Sequence, residues 1–236
     1  MTPSTALAAA PAVAASPLAS PSDIARCIGT AAHHLLPYLE QGRQVDAATL
    51  RAAMEQAFGG SDATGAWDWK TAYDACEAAT VLFLRKYGKA LLRKAGFPAL
   101  ALPMLDKIVG LLPTHTRRSI ESETLQQFST PIPLGLAVAT AAAIAPGDRV
   151  LEPSAGTGLL AILAEIAGGS LVLNELAETR AGLLALLFPD IAVSRHDAAQ
   201  IHDHLDAAVV PSVVIMNPPF SAMAHVQGRM ADAAYR

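Results

Sequence analysis

An asparagine followed by two prolines closes a run of mostly branched apolar residues. Ser212-Val213-Val214-Ile215-Met216 leads directly into Asn217-Pro218-Pro219-Phe220. Proline fixes its own φ and restricts the residue before it, so the corner is rigid. At a strand end such a corner holds the Asn217 side-chain oxygen and the Pro218 carbonyl as two acceptors for one amino group, while Phe220 offers a flat face to a base. Holding both amino hydrogens draws the nitrogen toward tetrahedral geometry. Its lone pair is then free for in-line attack on a methyl group, and no ordinary general base is required.

A second constellation lies upstream, in Leu151-Glu152-Pro153-Ser154-Ala155-Gly156-Thr157-Gly158. Its glycines allow a tight strand-to-helix turn and a close approach to a ligand. Gly156-x-Gly158-x-x-Ala161 also fits the dinucleotide fingerprint, with Glu175 near the place of a ribose-binding acid, so a nicotinamide enzyme is a competing reading. Two features weigh against it. Glu152 precedes the turn, where an acid meets a cationic or amino group rather than a pyrophosphate, and another acid, Asp197, follows the third strand. Acids in this register suit a positively charged nucleoside. Glu175 is placed to bind both ribose hydroxyls, Asp197 to accept from an adenine amino group, and Glu152 to face the sulfonium and amino-acid end of S-adenosylmethionine.

These residues need a scaffold, and the apolar periodicity supplies one. Helical spacing runs from Ser22, as capping residue, to Leu39, then from Asp46 to Phe58, from about Trp67 to Lys94, and from about Ala99 to Leu112. Residues 22–112 therefore form an all-α region behind an Ala/Pro-rich leader, 1–21, expected to be disordered. The leader lacks the positive start of a secretory signal. From 113 to 236 the pattern alternates. Helices are expected over Pro133–Ala145, Leu159–Ala167 and Ala177–Phe188, and strands over Arg149–Glu152, Ser170–Asn174, Ile191–Ser194 and Ser212–Met216. This is the rhythm of an open parallel α/β sheet, which binds ligands at the carboxyl ends of its strands.

At this point the residues resemble a known family. Glu152-Pro153-x-x-Gly156-x-Gly158, Asn217-Pro218-Pro219-Phe220 and Gln127-Phe128-Ser129-Thr130-Pro131 resemble motifs I, IV and X of amino-methyltransferases of the N6-adenine DNA type. The resemblance implies a Rossmann-like class I sheet with S-adenosylmethionine as cofactor. Thr130 and Pro131 would line its methionine end, Glu152, Pro153, Ala155, Gly156 and Gly158 its centre, Glu175 its ribose and Asp197 its adenine. Asn217 would touch both cofactor and target base, and Pro218, Pro219 and Phe220 would complete the grip on the base. The longer run from Trp67 through the corner is similar to the methylase portion of bacterial strawberry notch-like methylase/helicase proteins. That implies a nucleic-acid partner, DNA first, and a helicase-like region in cis or in trans. The family commonly has Tyr where Phe220 stands, and related corners act on RNA bases and protein glutamine amides, so the amino acceptor is firmer than its carrier. A full sheet of this type has about seven strands. Four are placed here, so the chain is expected to be the amino-terminal piece of a longer protein. A catalytically incomplete module that binds cofactor or partner is the alternative from another class.

Composition agrees with a folded chain. Of 236 residues 52% are hydrophobic and only 5% aromatic, and alanine fills about a fifth of positions, a helix-rich balance. The net charge of -4 does not suggest a generally polyanion-binding surface, leaving Arg85, Lys86, Lys89, Arg93 and Lys94 as the local basic cluster, which a solvated helix face also explains. Cys27 and Cys76 fall on apolar helix stripes and form no disulfide or metal spacing, which points to the cytoplasm. His202-Asp203-His204 has no further ligands at metal spacing. No membrane span or metal is expected.

Overall fold

The computed structural model describes residues 20–113 and 129–218. Four helices come first: α1 (Pro21–Glu40), α2 (Ala47–Phe58), α3 (Trp69–Ala95) and α4 (Pro98–Val109). They are followed by α5 (Ile132–Ala141), β1 (Arg149–Glu152), α6 (Leu159–Ala167), β2 (Ser170–Asn174), α7 (Glu178–Leu187), β3 (Val193–Ser194) and β4 (Val213–Val214). The four strands make one parallel sheet in the order β3-β2-β1-β4, with Glu152 paired to Leu173, Leu151 to Val214 and Leu173 to Val193. The fold is α/β. Because β1 joins β2 on one side and β4 on the other, the chain reverses its lateral direction between β1 and β4. In an open parallel sheet that is where a crevice opens.

Several boundaries differ from the sequence pattern for identifiable reasons. The cap of α1 is Ser20 rather than Ser22. Ser20 Oγ accepts from the Asp23 amide and the Ser20 amide donates to Asp23 Oδ2, both at 3.2 Å, and Pro21 takes the first helical position, where its missing N–H costs nothing. The leader therefore gives way to helix one residue earlier than its expected end at 21. Helix α5 stops at Ala141 instead of Ala145 because Ala143 takes a positive φ of 50° ahead of the Pro146-Gly147 turn. Strands β3 and β4 keep two ladder residues each, although Ser212 and Ile215 still donate to Arg149 and Leu151 carbonyls.

The most informative difference concerns α3. Its sequence suggests one broad apolar stripe, yet every residue from Ala72 to Val81 is buried, so the first half of this helix is enclosed on all sides. Helices α1, α4 and α6 pack around it. The alanines at 72, 75, 78 and 79 permit that enclosure, since a helix buried all round needs small or apolar residues on every face. Helix α1 also packs on α7, where Gly182 brings the backbone close to the Ala25 methyl. Buried residues of the first four helices and of the sheet region belong to one continuous core. Among the described residues, no helix is long and apolar enough to cross a membrane.

Candidate functional site

A cleft of about 320 Å³, open mouth included, sits at the carboxyl ends of β1 and β4. Its wall combines Glu152, Ser154, Ala155, Gly156 and Thr157 from the turn after β1, Thr130 and Asn217 from the segments before α5 and after β4, and Glu77 and Arg180 from α3 and α7.

The turn from β1 into α6 requires glycine twice. Gly156 has φ +58° and Gly158 φ +89°, both left-handed. A Cβ on Gly158 would stand 2.5 Å from the buried Phe188 ring, so conformation and space agree there. The turn is tied to the end of β2. The Ala155 amide donates to the Asn174 carbonyl at 2.9 Å and the Gly156 amide to Glu175 Oε2 at 2.8 Å, while Glu175 Oε1 takes the Ala177 amide at 2.9 Å. Each Glu175 oxygen thus holds a backbone N–H.

Glu152 is the electrostatic centre of the cleft. It is 2% exposed, and its Oε2 is buried with no hydrogen-bond partner, as is Ser154 Oγ. Burial, and secondarily the Glu175 charge, push its carboxyl well above the usual carboxylate range, while the Ala161 amide opposes the shift. A buried carboxyl oxygen without a donor is costly, and an N–H donor, preferably a cationic one, would satisfy it.

Two residues singled out in the sequence meet directly: Asn217 Nδ2 donates to Thr130 Oγ1 at 3.0 Å. Pro131 caps α5 beside them and is exposed, and Pro153 is buried behind the turn. Pro218 is exposed. Pro219 and Phe220 lie outside the described residues, as do Gln127 and Phe128. Asp197 lies apart from the cleft wall, capping the short turn Ala198–Asp203 through the Ala199 amide at 3.0 Å.

The sequence reading missed the residues that α3 sends into this site. Glu77 Oε2 accepts from Thr157 Oγ1 at 2.6 Å, and Glu77 Oε1 accepts from Ser129 Oγ. One turn away Asp74 holds Arg180 through Oδ1···Nη2 at 2.6 Å and Oδ2···Nε at 3.3 Å, with Lys70 at 3.8 Å from the same carboxylate. The pair holds the Arg180 guanidinium firmly protonated despite its burial. A signal did exist: Asp74, Glu77 and Thr80 recur every third residue among alanines, placing three polar groups near one face of a helix otherwise made for burial.

Asn174 was also missed. Its Nδ2 donates to the Pro153 carbonyl at 2.8 Å and the His196 carbonyl at 2.9 Å, and its Oδ1 accepts from the His196 amide and Ser194 Oγ, each at 2.9 Å. One buried amide thereby ties the loop before Gly156 to the loop carrying Asp197.

The basic cluster on α3 divides. Arg85 bonds Glu165 at 3.2 Å and the Leu187 carbonyl, and lies 4.4 Å from the Phe188 ring centre, while Lys86 bonds Glu40 at 2.7 Å. These two join helices. Lys89, Arg93 and Lys94 are exposed. His204 stacks on His196 at 4.1 Å, and among the described residues no three metal-ligating side chains converge. Cys27 and Cys76 are free thiols, and burial pushes both upward.

No family model, curated protein or solved structure matches the chain.

Proposed function

We propose that this chain carries the cofactor site of an S-adenosylmethionine-dependent amino-methyltransferase of the Rossmann-like class I type, with adenine N6 of DNA as its first candidate acceptor. The observation that carries this reading is the unpartnered, buried Glu152 Oε2 at the crevice between β1 and β4, in the same cleft as the Thr130–Asn217 pair. A dinucleotide would bring its pyrophosphate to the same turn, against Glu152 and Glu175. A sulfonium nucleoside with an ammonium group brings positive charge instead.

The residues present fit that cofactor. Glu152 offers an acceptor to its cationic end, and the Gly156 backbone stands open to the cleft. Glu175 would take the ribose hydroxyls, although it is buried beside the cleft wall with both oxygens accepting backbone amides, and Asp197, also off the wall, lies on the loop that Asn174 ties to the site. When bound, S-adenosylmethionine supplies an electrophilic methyl group. The Asn217 amide donates from Nδ2 to Thr130, and its Oδ1 is the group that would accept from a substrate amino group. With the Pro218 carbonyl, it would hold the target nitrogen with its lone pair directed along the transfer line. Nucleic acid as carrier, a helicase-like region in cis or in trans, and a cytoplasmic setting for the two free thiols belong to the same proposal.

Methyl transfer from tritiated S-adenosylmethionine to DNA, RNA and protein pools tests it. Label in DNA, reduced at least a hundredfold in Asn217→Ala, is the expected result. Label confined to RNA or protein would move the acceptor. Absence of S-adenosylmethionine binding by calorimetry would end the reading.

A further inference from the structure

A hydroxyl has one hydrogen to give. Thr157 and Ser129 both give theirs to Glu77, so each has only lone pairs for its other directions. Thr157, Ser129 and Glu77 line the same cleft as Glu152, whose Oε2 meets no donor. Around Glu77 this part of the wall therefore offers acceptors: two hydroxyls whose hydrogens are already given, with the buried Glu152 carboxyl and the unpartnered Ser154 hydroxyl beside them. A phosphate or carboxylate placed there would meet lone pairs. A primary ammonium, with three N–H groups and a positive charge, would be matched. Arg180 lines the same cleft with Nε and Nη2 held by Asp74, which gives an amino acid's carboxylate a cationic neighbour.

Resting on the methyltransferase reading, we infer that Glu77 is a specificity-determining residue for the α-ammonium group of the cofactor. It fixes Thr157 and Ser129 as acceptors and completes with Glu152 a site for a primary amine. The residue that selects the amino-acid end thus comes from the helical layer, distant in sequence from the glycine turn it serves. Its action is local to the ammonium and independent of the charge on sulfur.

Three probes separate these possibilities by calorimetry on the whole chain. S-adenosylmethionine carries both the sulfonium and the ammonium, S-adenosylhomocysteine keeps the ammonium alone, and 5′-methylthioadenosine has neither. Glu77→Gln is expected to weaken the first two about tenfold each, roughly the contribution of one charge-assisted hydrogen bond, and to change the third less than about twofold. Thr157→Val, which keeps the side-chain shape and removes the acceptor, is expected to act in the same direction. Equal weakening of all three probes would reduce Glu77 to a structural role, and weakening of S-adenosylmethionine alone would assign it to the sulfonium. Either result, or unchanged affinities, overturns the inference while wild-type binding leaves the methyltransferase reading in place. Wild-type protein that binds none of the three overturns both.

Discussion

Asp74 and Arg180, 106 positions apart in the chain, form an ion pair of 2.6 Å in which both side chains are less than a tenth exposed. It fastens α3 to α7 directly behind the cleft. Removing one member leaves the other charged and buried. Asp74→Leu or Arg180→Met should each lower the unfolding free energy by about 3–5 kcal/mol, and the double variant Asp74→Leu/Arg180→Met should recover more than half of that loss. Urea denaturation of the four proteins measures the coupling, and additive losses would show that the charges do not depend on one another.

Glu152 makes stability and binding depend on pH in opposite directions. Its carboxyl in the folded protein is held above the ordinary value of 4.5, so its contribution to stability is complete below that value and declines as pH rises through the raised one. Relative to Glu152→Gln, the ligand-free protein should lose stability from about pH 4.5 upward, with a slope approaching about 1.4 kcal/mol per pH unit. Affinity for a cationic ligand should rise over the same interval, because the carboxylate form receives it. Thermal melts and calorimetry at stepped pH check both slopes, and parallel pH profiles for wild type and Glu152→Gln would refute the assignment.

The two glycines of the turn should fail differently. Gly158→Ala combines left-handed strain with a clash against Phe188 and should cost about 2–4 kcal/mol of stability. Gly156→Ala has only the backbone strain, about 1–2 kcal/mol, since the nearest atom to its new methyl is Arg180 Nη1 at 4.0 Å. Its methyl enters the cleft, so its larger effect should be on ligand affinity. Paired denaturation and binding measurements would expose the contrast, and similar profiles for both variants would contradict it.

Asn174→Asp keeps the shape of the side chain while replacing two donors by acceptors. The Pro153 and His196 carbonyls would then face a carboxyl group, and the fold should lose about 2–4 kcal/mol at neutral pH. Protonation restores one donor, so the deficit should shrink toward pH 5. A melting temperature as low at pH 5 as at pH 8 would argue that the amide network is not the cause.

Where local chemistry decides an outcome, the chain was legible. Arg149–Glu152, Leu159–Ala167 and Ser170–Asn174 occupy the residues expected from apolar runs between glycine and proline signals, and Asp46 caps α2 through the Thr49 amide as its type suggests. Thr130, Glu152, Gly156 and Asn217 do share one cleft. What stayed hidden depends on partners distant in sequence. Glu77 looks like any acid on a helix until Thr157 is brought to it from 80 positions away, and Asn174 looks like an ordinary strand end until the turn after β1 and the end of β3 converge on it. Glu175 was legible as an acid at a strand end, but its use as a clamp for two turn amides was not, because that depends on the local path of the backbone.

Because α3 supplies part of the cleft wall, a change in the helical layer at this site calls for a matching change on the sheet side. A recombination event joining the first four helices of one homologue to the sheet of another would inherit a working cleft only if Asp74 travelled with Arg180 and Glu77 with Thr157. Substitutions in α3 should accordingly be tolerated in matched pairs and purged singly, so that this helix records the history of the site more faithfully than its alanine-rich surroundings would suggest.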